Sequence, residues 1–288
     1  MINKFIQLII SKIISNPNHS KFEYLEPKGD PGLFGPNSLT WIVHKDFISM
    51  MIGGISSLIL QSLHPRAMAG IWDHSTFRTD INGRLARTAE FIARTTYGPL
   101  EMADKTIEKI KKIHEVVKGN DQFGNSYYAN DPYLLNWVHM TESICFLNAN
   151  QLFTDNKFNF NQKNQYYGEM SLIAKKFGIN EPVETENDIN KQLDKYQKDL
   201  IFTDRSQVVM ELIMNFPCHF TIKPIYKAFS QAAIINLPDW AFTFLPIKKP
   251  SFIKRKIIIN SVKTISVPVR NALKEGIAFQ AKKRMNIV

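Results

Sequence analysis

"FISMMIGGISSLILQSL" (Phe47–Leu63) is the most apolar segment of the chain. Its length, roughly 17 residues, stands at the low edge of what spans a bilayer. Asp46 precedes it, His64 comes after it, and Ser49, Ser56, Ser57, Gln61 and Ser62 interrupt it. We read it as the central buried helix of a soluble domain. Ser49, Gly53 and Ser57 recur at i, i+4 and i+8 and form a lane of small side chains. Such a lane admits the close approach of another helix, or of something flat; helix packing is the commoner cause.

Outward from this segment, helical periodicity dominates. Residues 26–37, "EPKGDPGLFGPN", are dense in Pro and Gly and read as a loop, and Ser38 is placed to cap a helix directly after it. The spacing predicts helices over about 43–63, 82–97, 100–118, 132–152, 163–177, 186–201, 205–215, 224–235 and 267–284. Pro99 suits the first turn of the third and Gly119 its close. Pro132 stands after Asp131 at the start of the fourth, and "TEND" (Thr185–Asp188) resembles a capping box with Asp in place of Glu. "KIIINSVKTISV" (Lys256–Val267) is the most strand-like stretch. The expected class is all-α, a single multi-helix domain over 35–288. An appendage over 1–34 precedes it, made of an N-terminal amphipathic helix and the Pro/Gly-rich loop.

The 288 residues are 44% hydrophobic and 22% charged, enough apolar material for one large domain and too little charge for a disordered polyelectrolyte. Two cysteines, Cys145 and Cys218, exclude a multi-disulfide framework and any four-thiolate metal site, and fit a reducing, cytoplasmic compartment. The net charge of +10 has basic clusters at Lys105–Lys118, Lys248–Lys256 and Lys282–Arg284. Basic chains often meet phosphate, in nucleic acid or anionic lipid. No zinc-finger, RNP or basic-zipper pattern accompanies the charge, so a nucleic-acid partner is not expected. The N-terminal "MINKFIQLIISKIIS" is no convincing secretory signal; it fits a helix lying on a membrane or docked on the domain, hence an expectation of peripheral membrane contact.

Several motifs fail. His114-Glu115 opens like HExxH, but Lys118 stands where the second histidine belongs, and there is no GxGxxG, GxxxxGK[ST] or GxSxG. Within "KKIHEVVKG" (Lys111–Gly119), His114 nevertheless falls among apolar positions. Ala103, Ile107, Ile110, His114 and Val117 form one stripe, with lysines and glutamates on the other faces. The ring therefore points inward, where an unpaired imidazole costs roughly 1–3 kcal/mol. It needs an acceptor or a metal; on the residues alone, a satisfied core histidine is the commoner case. One helix earlier, "NGRLARTAEF" sets Arg84, Arg87 and Thr88 on one face beside Phe91. Two guanidiniums beside an apolar row either meet an anion or form surface pairs with Asp80, Glu90 or a later carboxylate.

Taken together, "QSLHP" (Gln61–Pro65), "HSTF" (His74–Phe77), "GRLART" (Gly83–Thr88), "YG" (Tyr97-Gly98), "IHEVVKG" (Ile113–Gly119) and "DPYLLNWVH" (Asp131–His139) resemble, in order and spacing, the haem-b oxygenase family of latex-clearing protein and MpaB. The likeness runs from residue 35 to about 145 and loosely to about 201. It implies an all-helical fold around one b-type haem, with His114 as proximal iron ligand. It also implies Arg84 and Thr88 in the distal pocket, a guanidinium and a hydroxyl able to hydrogen-bond dioxygen or water. In latex-clearing members a lysine precedes the threonine and can close the distal site by binding iron. Here that residue is Arg87, whose guanidinium stays protonated, so a site not closed in this way is expected. The glutamate proposed as catalytic base in latex-clearing enzymes has no aligned counterpart; Asp73 and Asp80 are the nearby carboxylates. His64 and His74 are candidates to bond haem propionates or to tie their loop, and Trp137 and His139 to line the pocket, with His139 alternatively supporting the His114 ring.

The resemblance thus implies a haem-dependent oxygenase that uses dioxygen on an apolar small-molecule or lipidic, isoprenoid-like substrate. The alternative is a non-catalytic lipid-binding or membrane-peripheral helical module that keeps the fold.

Overall fold

A computed structural model of the chain describes residues 23–216 and 223–287. The N-terminal helix expected within 1–34 therefore lies, up to residue 22, outside the described residues, as does Cys218. The described residues form twelve α-helices: α1 (Leu39–His44), α2 (Phe47–Gln61), α3 (Pro65–His74), α4 (Ile81–Tyr97), α5 (Leu100–His114), α6 (Pro132–Phe153), α7 (Phe160–Lys176), α8 (Glu186–Tyr196), α9 (Asp204–Met214), α10 (Lys223–Asn236), α11 (Phe252–Ala272) and α12 (Ile277–Arg284). One antiparallel hairpin, β1 (Lys118–Asn120) and β2 (Ser126–Tyr128), is the single sheet among them. The fold is all-α, as the periodicity predicts.

The apolar segment Phe47–Leu63 forms α2, and it lies at the centre. Ile48, Ile52, Ile55, Ile59 and Leu60 are buried, each worth roughly 1.5–3 kcal/mol over an exposed position. Its serines are buried too, but not unsatisfied. Ser56 Oγ donates to Ile52 O (2.7 Å), lies 3.0 Å from Ala233 O, and accepts from Asn236 Nδ2 at 3.0 Å, while the same amide reaches Cys145 O at 3.0 Å. One polar knot thus joins α2, α6 and α10 inside the apolar core. Among the described residues no single helix is long and apolar enough to cross a membrane. The lane of small residues proves to be a packing lane at Gly53, where a Cβ would meet Phe146 Cδ1 at 2.7 Å and Cys145 O at 3.0 Å. Hydrogen there lets α6 lie directly against α2.

Capping fixes the ends. Ser38 Oγ accepts from Trp41 N (3.1 Å) to start α1. Asp46 then caps α2 through Ser49 N (2.9 Å), which divides the expected 43–63 helix into two. Asp46 also receives the Arg270 guanidinium, which donates in addition to Phe153 O at 2.8 Å, so α11 is fastened to the start of α2 and the end of α6. The Pro/Gly-rich loop packs onto the other end of the chain. Arg284, fully buried, donates to the carbonyls of Asp30 (2.8 Å), Tyr24 (3.0 Å) and Tyr97 (2.8 Å).

Three expectations are corrected. Lys256–Val267 is not a strand but the middle of α11. Its β-branched residues misled, whereas Ser251 caps the helix (3.3 Å to Lys254 N) and Val262, Ser266 and Ala272 supply a buried helical face. The helix expected over 267–284 is broken between Ala272 and Ile277, so α11 and α12 are separate. Finally, the helix with His114 ends at that residue and not at Gly119. Asn130 Nδ2 satisfies Lys111 O at 3.1 Å, and the chain turns into the hairpin. There Gly119 pairs with Tyr127, and a Cβ on it would come within 2.8 Å of the Tyr127 hydroxyl.

Gly53 and Gly54 offer a controlled comparison of helix propensity with packing. Both are helical, but a Cβ at Gly54 meets only Phe146 Cε1, at 3.9 Å. Gly54→Ala is expected to stabilise by about 0.5–1 kcal/mol. Gly53→Ala is expected to destabilise by about 1–3 kcal/mol, because the α6 backbone must move. Urea unfolding of the two variants checks this; equal shifts would show that the α2–α6 contact is not tight.

Candidate active site

A cavity of about 1280 Å³ runs between α2, α4, α6 and the chain after Val269, larger than the usual 300–1,000 Å³ of small-molecule sites. Most of its wall is apolar: Ile48, Met51, Leu58, Leu85, Ile92 and Phe146 take part. On α4, Arg84, Leu85, Thr88, Ala89, Ile92 and Ala93 line it from one face of a 3.6-residue helix, and Glu90 and Tyr97 add to the wall beside them. On α2, Gly54, Ser57, Leu58 and Gln61 fall on one face in the same way. Glu142 from α6 stands within electrostatic reach of Arg84 from α4 and beside Gln61 from α2, and Thr88 and Ser57 line the same cavity.

Glu142 is the residue that sequence reasoning missed. It is the lone Asp, Glu, Lys or Arg in the 22 residues of α6, and that isolation was the available signal: one carboxylate in an apolar helix, a turn after His139. Burial pushes its pKa up to about 7, against the opposing pull of the Arg84 charge and of the neighbouring Gln61 amide. Gln61 favours the ionised form by proximity alone, since its Nε2 makes no hydrogen bond. Desolvation is thus the larger effect, and the carboxyl titrates near neutrality.

Arg84 is the counterpart. Its pKa is lowered, first by burial, with Glu142 opposing and Arg87 assisting. It forms no ion pair and no side-chain hydrogen bond among the described residues. Arg84 stands at the edge of the cavity face of α4, two turns before Phe91, which packs on Phe177 with ring centroids 6.0 Å apart. The Thr88 hydroxyl donates to Arg84 O at 3.1 Å, so its lone pairs remain for the cavity. Arg87, by contrast, points outward, to Thr76 Oγ1 at 2.9 Å and to Asp80 at 3.7 Å.

His114, on the inward stripe with buried Ala103 and Ile107, is half-buried. Its ring lies 6.3 Å from that of Phe177. Burial and the Arg84 charge lower its pKa; the Asn130 side chain opposes them. That neighbour misses hydrogen-bond geometry, so His114 Nδ1 and Asn130 Oδ1 are both buried without a bond. Neither ring nitrogen of His114 bonds to a described residue. The ring does not line the large cavity; Arg84 is the residue within electrostatic reach of both His114 and Glu142.

The other candidates lie apart. His64 is buried among the rings of Tyr133, Trp137 and Tyr196, with both nitrogens unbonded and its pKa pushed down to about 4 by burial. Trp137 is buried between Tyr196 and Trp240. His139 is buried, unbonded at Nε2 and likewise lowered to about 4 by burial. His74 is exposed and bonds the Tyr127 hydroxyl at 3.2 Å, which itself donates to Asp73 at 2.8 Å. None of these four lines the cavity.

Residues 41–253 match a model of the family described as "ER-bound oxygenase mpaB/B'/Rubber oxygenase, catalytic domain". The chain belongs to this family. No curated protein and no solved structure matches it. The span of the mpaB/rubber oxygenase match takes in Arg84, Thr88, His114 and Glu142 and reaches the first residues of α11, well past the blocks that carry the likeness by eye. Arg84, Thr88 and Glu142 at the cavity thus lie within an oxygenase catalytic domain, while part of the cavity wall, from Val269 onward, comes from beyond the matched residues.

A raised pKa at Glu142 has a signed consequence for stability. The folded protein holds this proton more tightly than the unfolded chain, whose glutamates titrate near 4.5. Its contribution is therefore complete below about pH 4.5 and is lost as pH rises through about 7, by at most about 3 kcal/mol. The buried histidines act in the opposite sense, losing stability as pH falls below about 6.5. The difference between wild type and Glu142→Gln isolates the carboxyl: the variant is expected to gain on wild type as pH goes from about 5 to about 8. Urea unfolding at both pH values measures this, and a pH-independent difference would place the Glu142 pKa in the ordinary range.

Proposed function

We propose that this chain is a haem b-dependent oxygenase that uses dioxygen on an apolar, isoprenoid-like or lipidic substrate, with His114 as the proximal iron ligand. The observation that carries the reading is an imidazole on the inward stripe of α5 with both nitrogens uncommitted, beside an unpaired guanidinium that also faces a large apolar cavity. The donor chemistry fits the cofactor. Bound haem would bring four nitrogens of its own to the iron, and the uncommitted His114 ring would supply the one protein nitrogen it needs. Among the described residues no group of three or more His, Cys, Asp and Glu is arranged to hold a bare metal ion, and haem asks for no such group.

Bound haem would supply the activation of dioxygen. The chain supplies the surroundings. Burial and Arg84 keep the His114 ring neutral at physiological pH, so a nitrogen lone pair is available for a metal. Arg84 offers N–H donors that no protein acceptor occupies, suited to an oxygen atom that gains negative charge. Thr88 offers a hydroxyl oxygen one turn away. Glu142, with its pKa near 7, can hold or release a proton in the cavity, the behaviour a general acid or base needs. Met51, Leu58, Ile92 and Phe146 exclude water and match a hydrocarbon substrate.

The cavity would also serve the second reading, a lipid-binding module without chemistry. Absorbance of the purified protein separates the two. A Soret band, present as isolated or after addition of haemin, is expected; it should be lost or strongly shifted in His114→Ala and retained in His139→Ala and His64→Ala. A protein that stays colourless with haemin yet binds a fluorescent fatty acid would establish the module. An unchanged band in His114→Ala would remove that residue as ligand.

A further inference from the structure

The first turns of α11 leave apolar side chains uncovered. Phe252 is 80% exposed, Ile253 71% and Ile257 60%, and Val267 further along is 52% exposed. The buried residues of this helix, Val262, Ser266 and Ala272, all lie further along it. The surroundings of the exposed tip are cationic. Between Asp239 and Glu275 the chain has no carboxylate side chain and eight Lys or Arg. Four of these are held: Lys249 by Asp239, Lys263 by Asp155, Arg270 by Asp46, and Arg255 by the Ile235 carbonyl. Lys248, Lys254 and Lys256 stand exposed around the apolar triplet with no ion pair among the described residues.

We propose that the N-terminal end of α11, with Phe252, Ile253 and Ile257 flanked by Lys248, Lys254 and Lys256, docks on an anionic lipid surface. Charge complementarity decides the occupant. An aromatic and aliphatic tip surrounded by lysines matches the interfacial depth profile of a bilayer, where rings and branched chains enter the acyl boundary and lysine ammoniums stay among anionic headgroups. A protein interface of this size would be depleted in lysine and enriched in Tyr, Trp and Arg. A second copy of the chain would bring the same positive charge and repel. The inference uses none of the residues assigned to the haem site and does not depend on haem.

The test uses the full chain and sedimentation with vesicles of phosphatidylcholine alone or with 30% phosphatidylserine. Binding to the anionic vesicles is expected, with at least a tenfold weaker partition for F252S/I253S and, separately, for K254E/K256E. Both pairs are exposed, and unchanged thermal melting will show that the variants fold. Absence of binding, equal binding to neutral vesicles, or variants that bind like wild type would overturn the proposal. So would a change of sedimentation coefficient in F252S/I253S without lipid, which would make the patch a protein interface.

Discussion

The distance between α2 and α6 governs both the core and the cavity. At Gly53 the α6 backbone comes so near that even a methyl group would not fit. That contact sets the two helices side by side, and both contribute to the wall of the cavity. Gly54, Ser57 and Gln61 of α2 and Glu142 and Phe146 of α6 line it. Asn236 Nδ2 locks the same junction by bonding Ser56 Oγ and Cys145 O together. A seam with backbone against backbone has little freedom to relax, which suits a site that must hold polar groups in fixed positions.

Within the cavity, desolvation and charge attraction compete. Arg84 and Glu142 favour each other's charged forms, yet burial shifts both toward neutrality and is the larger effect in each. They do not close into an ion pair, so neither charge is spent on the other. A closed buried pair would fix the carboxylate ionised and occupy the guanidinium donors. Held apart, the two groups leave one carboxyl near its titration point and one set of donors open toward the cavity.

Much of this was legible in the sequence, for physical reasons. The stripe through Ala103, Ile107 and His114 comes from helical period alone, and the caps at Ser38, Asp131 and Thr185 come from side-chain oxygens placed before apolar runs. Asp46 was harder, because the same carboxylate could flank one long helix or begin a second. The β-branched run in α11 concealed a helix, since tertiary contacts with α10 and the Arg270–Asp46 bond outweigh a weak local preference. Glu142 escaped attention because its partners lie 58 and 81 positions earlier in the chain, at Arg84 and Gln61, and no local spacing links them. Arg87 shows the converse: it neighbours Arg84 on α4 by period, but an offset of about 60° around the helix is enough to send its side chain to Thr76 and solvent.

The same helix puts two different environments at its ends. Near the C-terminal end of α11, Val269 and Arg270 belong to the cavity wall, and Leu273 continues that wall. At its N-terminal end Phe252 and Ile253 face outward with nothing covering them. About 25 Å of helix separates the two ends, with the Arg270 bond to Asp46 fastening the inner one to the start of α2. An apolar substrate dissolves in a bilayer far better than in water. Under the two proposals made above, an apolar substrate and an anionic lipid surface, this one helix would join the docking tip to the cavity wall, so that substrate would pass from membrane to site without crossing bulk solvent.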